Sequence, residues 1–362
     1  MTAILTVLAF ATAPGSALGA TASVTEVFGE RILTYEAAPG EANDLDMSGP
    51  TTVPIGTVTL RDEGATVAAG FGCVQVDPNE VSCASITATF VWLGDVGDIF
   101  TMAGGSASVD GGPGADQLTL CAQLCGGELI GAGGDDILIA GNGGSDLNGG
   151  PGADTLTTGS GPNDVRGGLG PDTISTGAGN DVVFPGGGDD SVDAGPGDDA
   201  LFYFDAHAPI IADLRAGTAT GEGTDTIVGF ESVLGSEFGD RLYGDANANG
   251  FSGMGGNDLL VGRGGADDMN GGVVAQPAKK GRDRLFGGPG RDRLRGLNGD
   301  DLLVGGPGTD RLEGGTGNDF ISARDGAAEI VRGQEGFDRA RVDTGLDNVG
   351  GVEFLLCPRG CR

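Results

Sequence analysis

The sequence predicts an all-β chain, a parallel β-roll in two blocks behind a small N-terminal β domain. Three observations carry that prediction. From Leu93 onward a period of nine takes over, with the pattern Gly-Gly-x-Gly-x-Asp-x-U-x, where U is aliphatic. The aspartates of alternate repeats fall into columns at intervals of eighteen residues. Large side chains are too scarce for an ordinary core, since 74 of the 362 residues are Gly and aromatics make up 5%.

Composition narrows the function classes. Asp plus Glu number 52 against 20 Lys plus Arg, a net charge of −32. Such a chain does not bind nucleic acid through phosphate neutralisation. Glycine without a strict three-residue period is not collagen. Acidity with few aromatics otherwise marks disorder, unless counter-cations supply the missing stability.

Residues 1–20 are uncharged, with an apolar run from Ile4 to Ala13 and the small residues Ala17-Leu18-Gly19-Ala20 at the end. They read as a signal peptide lacking a positive n-region, with a buried first strand as the alternative. No later segment is long and apolar enough to span a bilayer. Residues 21–92 carry less glycine and alternate apolar with polar residues, as in Ser85-Ile86-Thr87-Ala88-Thr89-Phe90-Val91. Cys73 and Cys83 flank Asp77-Pro78-Asn79-Glu80, which reads as a hairpin. The six cysteines form three close pairs, Cys73 with Cys83, Cys121 with Cys125, and Cys357 with Cys361. Local disulfides in an oxidising compartment are expected. A shared zinc site is the alternative, and the only histidine, His207, is far from every pair.

Block one spans 93–202 and block two 240–343. Clean copies include Gly111–Thr119, Gly167–Ser175, Gly287–Arg295 and Gly305–Glu313. Glycines let the loop turn tightly and expose carbonyl oxygens. The sixth-place Asp adds a carboxylate, and the set suits calcium, a hard cation that takes oxygen ligands. Three extended residues follow, of which the aliphatic one points inward. Two repeats make one turn. The first edge therefore reads Asp98, Asp116, Asp136, Asp154, Asp172 and Asp190, and after a break Asp240, Asp258, Asp283, Asp301, Asp319 and Asp338. The second edge is incomplete: Ala107, a gap, Ser145, Asn163, Asp181 and Asp199, then Asn249, Asp267, Asp292, Asp310 and Ala328. Asp146 and Asp164 sit one place late. Roughly a dozen divalent ions would offset most of the net charge. Without them the stacked carboxylates repel, and a largely unfolded chain is expected.

Residues 203–239 interrupt the period with Tyr203, Phe204, Phe230 and Phe238, and read as a bridging or capping segment. His207 within it reads as a surface residue. An inserted loop occupies 273–280, and 344–362 reads as a C-terminal cap.

On these repeats, residues 93–343 resemble the RTX, or hemolysin-type calcium-binding, repeat family. The stretch Ala37-Ala38-Pro39-Gly40-Glu41-Ala42-Asn43, with its cysteine pair, resembles the leader domain of secreted bacterial members. The resemblance implies several Ca2+ ions bridging successive loops, held by loop carbonyls and the sixth-place aspartates. It implies an exported, extracellular, non-enzymatic protein that folds on calcium.

Chemistry is hard to place. One histidine rules out H-E-x-x-H, and neither G-x-S-x-G nor the strict G-x-G-x-x-G occurs. Asp245-Ala246-Asn247-Ala248-Asn249-Gly250 imitates half an EF-hand loop, but the twelfth position is Gly256. A flat ice-binding ladder is disfavoured because third places hold Pro289, Asn298 and Pro307. The competing reading is an adhesion module with the rolls as a stalk. Arg284, Arg293 and Arg311, all at the outward seventh place, would then dock an anionic surface polymer.

Overall fold

The computed structural model describes residues 20–27, 30–48, 57–62, 68–69, 73–77, 80–84, 88–103, 106–121, 126–272, 281–343 and 345–356. The expected leader up to Gly19, the loop 273–280 and Cys125, Cys357 and Cys361 lie outside them. The described residues contain strands and no α-helix, wound as a parallel β-solenoid of about 14 turns. No helix among them is long and apolar enough to cross a membrane.

Each turn contributes one short strand to each of two sheets. In the first sheet Ser108–Asp110 lies parallel to Glu128–Ile130, which lies parallel to Asp146–Pro151, and so on to Asn348–Gly350. In the second, Ile99–Met102, Gln117–Thr119, Ile137–Ile139 and Thr155–Thr157 stack in the same way. Because the period along a strand is two, only the middle residue of the three-residue strands within the roll is buried, as at Leu118, Leu129, Leu138 and Leu156, while the terminal strand Asn348–Gly350 buries none. The core is therefore a single file of aliphatic side chains between the sheets, running to Val331 and Ala340.

Loop geometry explains the glycines. At Gly308, with φ +156°, an added Cβ would lie 1.5 Å from the Gly290 carbonyl oxygen one turn earlier, so no side chain fits. Second places are left-handed. Ala132, Met254, Arg263, Leu297 and Gln334 occupy them with φ between 71° and 81°, each at about 1 kcal/mol relative to glycine.

The N-terminal strands extend both sheets. Ala88–Trp92 pairs in parallel with Ser108–Asp110 and with Glu30–Glu36, while Asp44–Ser48 pairs with Ile99–Met102. Cys73 and Cys83 stand opposite each other in the antiparallel pair of Cys73–Asp77 with Glu80–Ala84. Cys121 is disulfide-bonded.

Between the blocks the two sheets fall out of step. In the first, Ala200–Phe202 pairs directly with Ser232–Leu234, and that strand with Gly250–Ser252. In the second, Thr224–Val228 follows Ser191–Asp193, but the hairpin Ile211–Asp213 with Thr218–Thr220 comes before Arg241–Tyr243. The second sheet thus gains two strands that the first lacks. A bidentate pair from Arg263 to Asp213, 2.7 Å at each oxygen, ties this hairpin to the second block. Arg263 holds the Asp213 carboxyl below the usual carboxylate range.

The outward arginines do not form one stripe, contrary to expectation. Successive nonapeptides alternate between sheets, so Arg284 lies on the second sheet while Arg293 and Arg311 are neighbours on the first. Acids flank that pair of neighbours: Arg311 pairs with Glu313, and Asp268 lies beside Arg293 in register.

Candidate metal centre

The predicted aspartates do stack. Each of the seventeen named above is at most 3% exposed, at the loop-to-strand junction just before the short strand. Along the first edge the backbone amide of each donates to Oδ1 of the next: Asp98 to Asp116 at 2.7 Å, Asp116 to Asp136 and Asp136 to Asp154 at 2.8 Å, Asp154 to Asp172 at 2.9 Å, and Asp172 to Asp190 at 2.8 Å. The second block repeats this from Asp240 through Asp258, Asp283, Asp301 and Asp319 to Asp338 at 2.8–2.9 Å. On the second edge the same bonds join Asp181 to Asp199 and run from Asn249 through Asp267 and Asp292 to Asp310. The interval stretches from 18 to 25 residues across the inserted loop without loss of the bond.

The other oxygen is the informative one. Oδ2 is buried and without a hydrogen-bond partner at Asp116, Asp136, Asp154, Asp172, Asp190, Asp258, Asp301, Asp319 and Asp338, and on the second edge at Asp181, Asp199, Asp267, Asp292 and Asp310. A buried carboxylate oxygen left unpaired costs several kcal/mol in isolation. Where a glycine holds the first place, these oxygens face a cradle. A Cβ at Gly131 would lie 2.3 Å from Asp136 Oδ2 and 2.7 Å from the Gly149 carbonyl one turn on. At Gly287 the same test gives 2.3 Å to Asp292 Oδ2 and 2.5 Å to the Gly305 carbonyl. Carboxylate and carbonyl oxygens thus converge on a space that only glycine leaves open. Such an all-oxygen set fits a hard divalent cation of calcium type.

Electrostatics agree. Burial pushes the Asp116, Asp172 and Asp319 carboxyls up to about 7, with neighbouring carboxylates adding to the shift. Burial likewise pushes Asp154, Asp190, Asp199, Asp267, Asp292, Asp301 and Asp310 up to about 6. It takes Asp283 to about 8 and Asp258 to about 9. Without a counter-charge these groups favour the protonated form.

Several column members escaped the sequence reading. Asp225 continues the first edge, accepting the Asp190 amide at 3.2 Å, and Gly221-x-Gly223-x-Asp225-x-Ile227 was the signal for it. Asn43 begins that edge by donating to Asp98 at 2.6 Å, and Glu353 ends it by accepting from Asp338 at 2.7 Å. On the second edge Glu231 accepts from Asp199. Glu329, rather than Ala328, takes the sixth place after Asp310, since its carbonyl accepts the Asn348 amide as the other sixth-place carbonyls do.

Where the blocks meet, protein groups fill the role that cradles fill elsewhere. Tyr203 Oη donates to Asp225 Oδ2 at 2.8 Å. Asp240 accepts from the Ser236 amide and hydroxyl and from the Ile210 amide. Asp240 is thus already satisfied, unlike its neighbours in the column. Asp146 and Asp164 face outward, side by side on the first sheet and away from the cradles. His207 is exposed and pairs with Glu222.

The family model described as the RTX calcium-binding nonapeptide repeat (4 copies) matches residues 130–165, 157–192, 166–201, 243–273, 279–312 and 304–339. The gap between the matched stretches includes the hairpin where the sheets fall out of step. No curated protein matches the chain. Within residues 130–339 the chain therefore carries several copies of the RTX calcium-binding nonapeptide repeat.

Proposed function

We propose that this is an exported, non-enzymatic calcium-binding protein whose roll folds as its aspartate columns take up several Ca2+ ions. The observation that carries the reading is the series of buried Oδ2 atoms with no partner, which at Asp136, Asp154, Asp267 and Asp292 share a glycine-lined space with a loop carbonyl from the next turn. Bound calcium supplies the positive charge that lets stacked carboxylates stay ionised in a buried column. The sixth-place aspartates hold the stack in register through Oδ1 and offer Oδ2 to the ion. The first-place glycines keep the cradle open, and the inward aliphatics bury the apolar file once the loops close.

Export is supported by the apolar N-terminal stretch, the even number of cysteines and the absence of a free one among the described residues. In that setting, millimolar calcium outside the cell would order a chain that stays loose within it.

Far-UV circular dichroism of the chain during a calcium titration, with magnesium as control, tests the reading. A cooperative gain of β signal with calcium alone is expected. Full β structure in chelator at neutral pH would overturn it.

A further inference from the structure

At the C-terminal end of the second edge the repeat pattern lapses. Ala323 and Val342, both buried, stand in the first places of two successive loops where the complete column has glycine. Instead of a lone sixth-place Asp, one carboxylate oxygen from each of Asp325, Glu329 and Asp343 lies within 4.8 Å of the others. Glu329 is 2% exposed, and its oxygens meet no donor, only the carboxyl of Asp347. Asp325 is exposed and Asp343 half-buried, so the cluster opens to solvent on one side.

The surrounding bonds orient these groups without neutralising them. Asp325 accepts from the Gly308 and Ala327 amides, and Asp343 Oδ2 from the Asp325 and Gly326 amides. Asp347 braces the set from beneath, accepting the Glu329 amide at 3.2 Å and the Asp343 amide at 2.6 Å. Among the described residues no arginine or lysine forms an ion pair with any of the four. A buried glutamate that faces other carboxylates and no donor needs a cation to be ionised.

We propose that Asp325, Glu329 and Asp343 form a calcium site in which two carboxylates from outside the sixth place join the sixth-place Glu329, clamping the turn that holds Asp325 to the turn that holds Asp343. The proposal rests on the calcium reading above and adds to it a ligand set of side-chain carboxylates. Charge count raises calcium affinity, so this site fills before the two-aspartate cradles. Its occupation pins Asn348–Gly350, the strand that closes the first sheet.

The test compares the full chain with the double variant Glu329→Gln, Asp343→Asn. Bound calcium is counted by equilibrium dialysis, and amide hydrogen exchange is followed over 345–350. The variant is expected to lose one calcium per chain, the tightest, and to lose protection over 345–350, while the saturated dichroism spectrum stays native. An unchanged count with unchanged protection would overturn the clamp and leave the calcium reading standing. A native chain that binds no calcium would remove both. Should the variant fail to fold even in saturating calcium, the native chain decides. Protection of 345–350 with the first equivalent supports the clamp, and protection only with the last equivalents overturns it.

Discussion

Within the first block the two edges of the roll share one backbone path and solve the same problem in opposite ways. The first edge stacks charge, with Asp116, Asp136, Asp154, Asp172 and Asp190 each keeping a buried oxygen unpaired. The second edge begins with neutral groups. Asn163 donates through Nδ2 to the Gly161 carbonyl at 2.5 Å and to Asp181 Oδ1 at 2.9 Å. Thr158 and Thr176, in first places, donate their hydroxyls to the carbonyls of Thr176 and Ala194 one turn on, at 2.7 and 2.9 Å. Those carbonyls are the counterparts of the oxygens that line the glycine cradles. A stacked loop therefore needs positive electrostatic character near its carbonyls, and an amide or a hydroxyl can supply it where no ion does. On the proposed reading the neutral solution needs no calcium, whereas the charged one makes folding conditional on it.

The comparison can be broken most sharply with pH. Burial pushes the carboxyls of Asp154, Asp116 and Asp172 up to about 6 to 7, and that of Asp258 to about 9, against an ordinary 3.8. The metal-free fold therefore binds more protons than the unfolded chain between about pH 4 and pH 7, and its stability falls as pH rises through that window. Thermal melts in chelator should show a more stable roll at pH 4.5 than at pH 7.5. A higher melting temperature at pH 7.5 would contradict the charged-edge account.

Asp172→Ala should have the next largest effect. It strips the acceptor of the Asp154 amide and one cradle oxygen, a loss of about 1.5–3 kcal/mol for a bond to a charged group. The calcium concentration for half-folding should rise, by less than about tenfold because several ions share the transition. Asn163→Asp sharpens the contrast by charging the neutral edge. The variant should be less stable in chelator and bind one more calcium when loaded, and dialysis at saturation counts that ion. Thr176→Val should act least. It deletes one hydroxyl donor at about 1 kcal/mol, equally in chelator and in calcium. A calcium-dependent effect there would mean that the neutral edge also carries ions.

Much of this was legible before the structure, because an eighteen-residue interval of Asp with an aliphatic residue two places on leaves few alternatives. The missed members share a physical cause. Asp225 follows Asp190 by 35 residues because a hairpin is inserted in one sheet, and spacing cannot reveal which strand the chain rejoins. Asn43 lies 55 residues ahead of Asp98 and joins the column only through the parallel pairing of Asp44–Ser48. Glu231, Glu329 and Glu353 hold column places with a side chain one methylene longer, which a pattern written for Asp passes over. The arginine stripe failed for a simpler reason: equal place in the repeat is not equal face of the roll.

The inserted loop at 273–280 shows what the roll can absorb. Asp258 and Asp267 still donate to Asp283 and Asp292 at 2.9 Å across it. Register here is set by what stacks above and below, while chain length between the stacked points is unregulated. The rim of the solenoid is thus a port at which new segments can be spliced without renumbering the stack. Such a molecule can acquire surface decorations one loop at a time, each leaving the scaffold's pitch untouched.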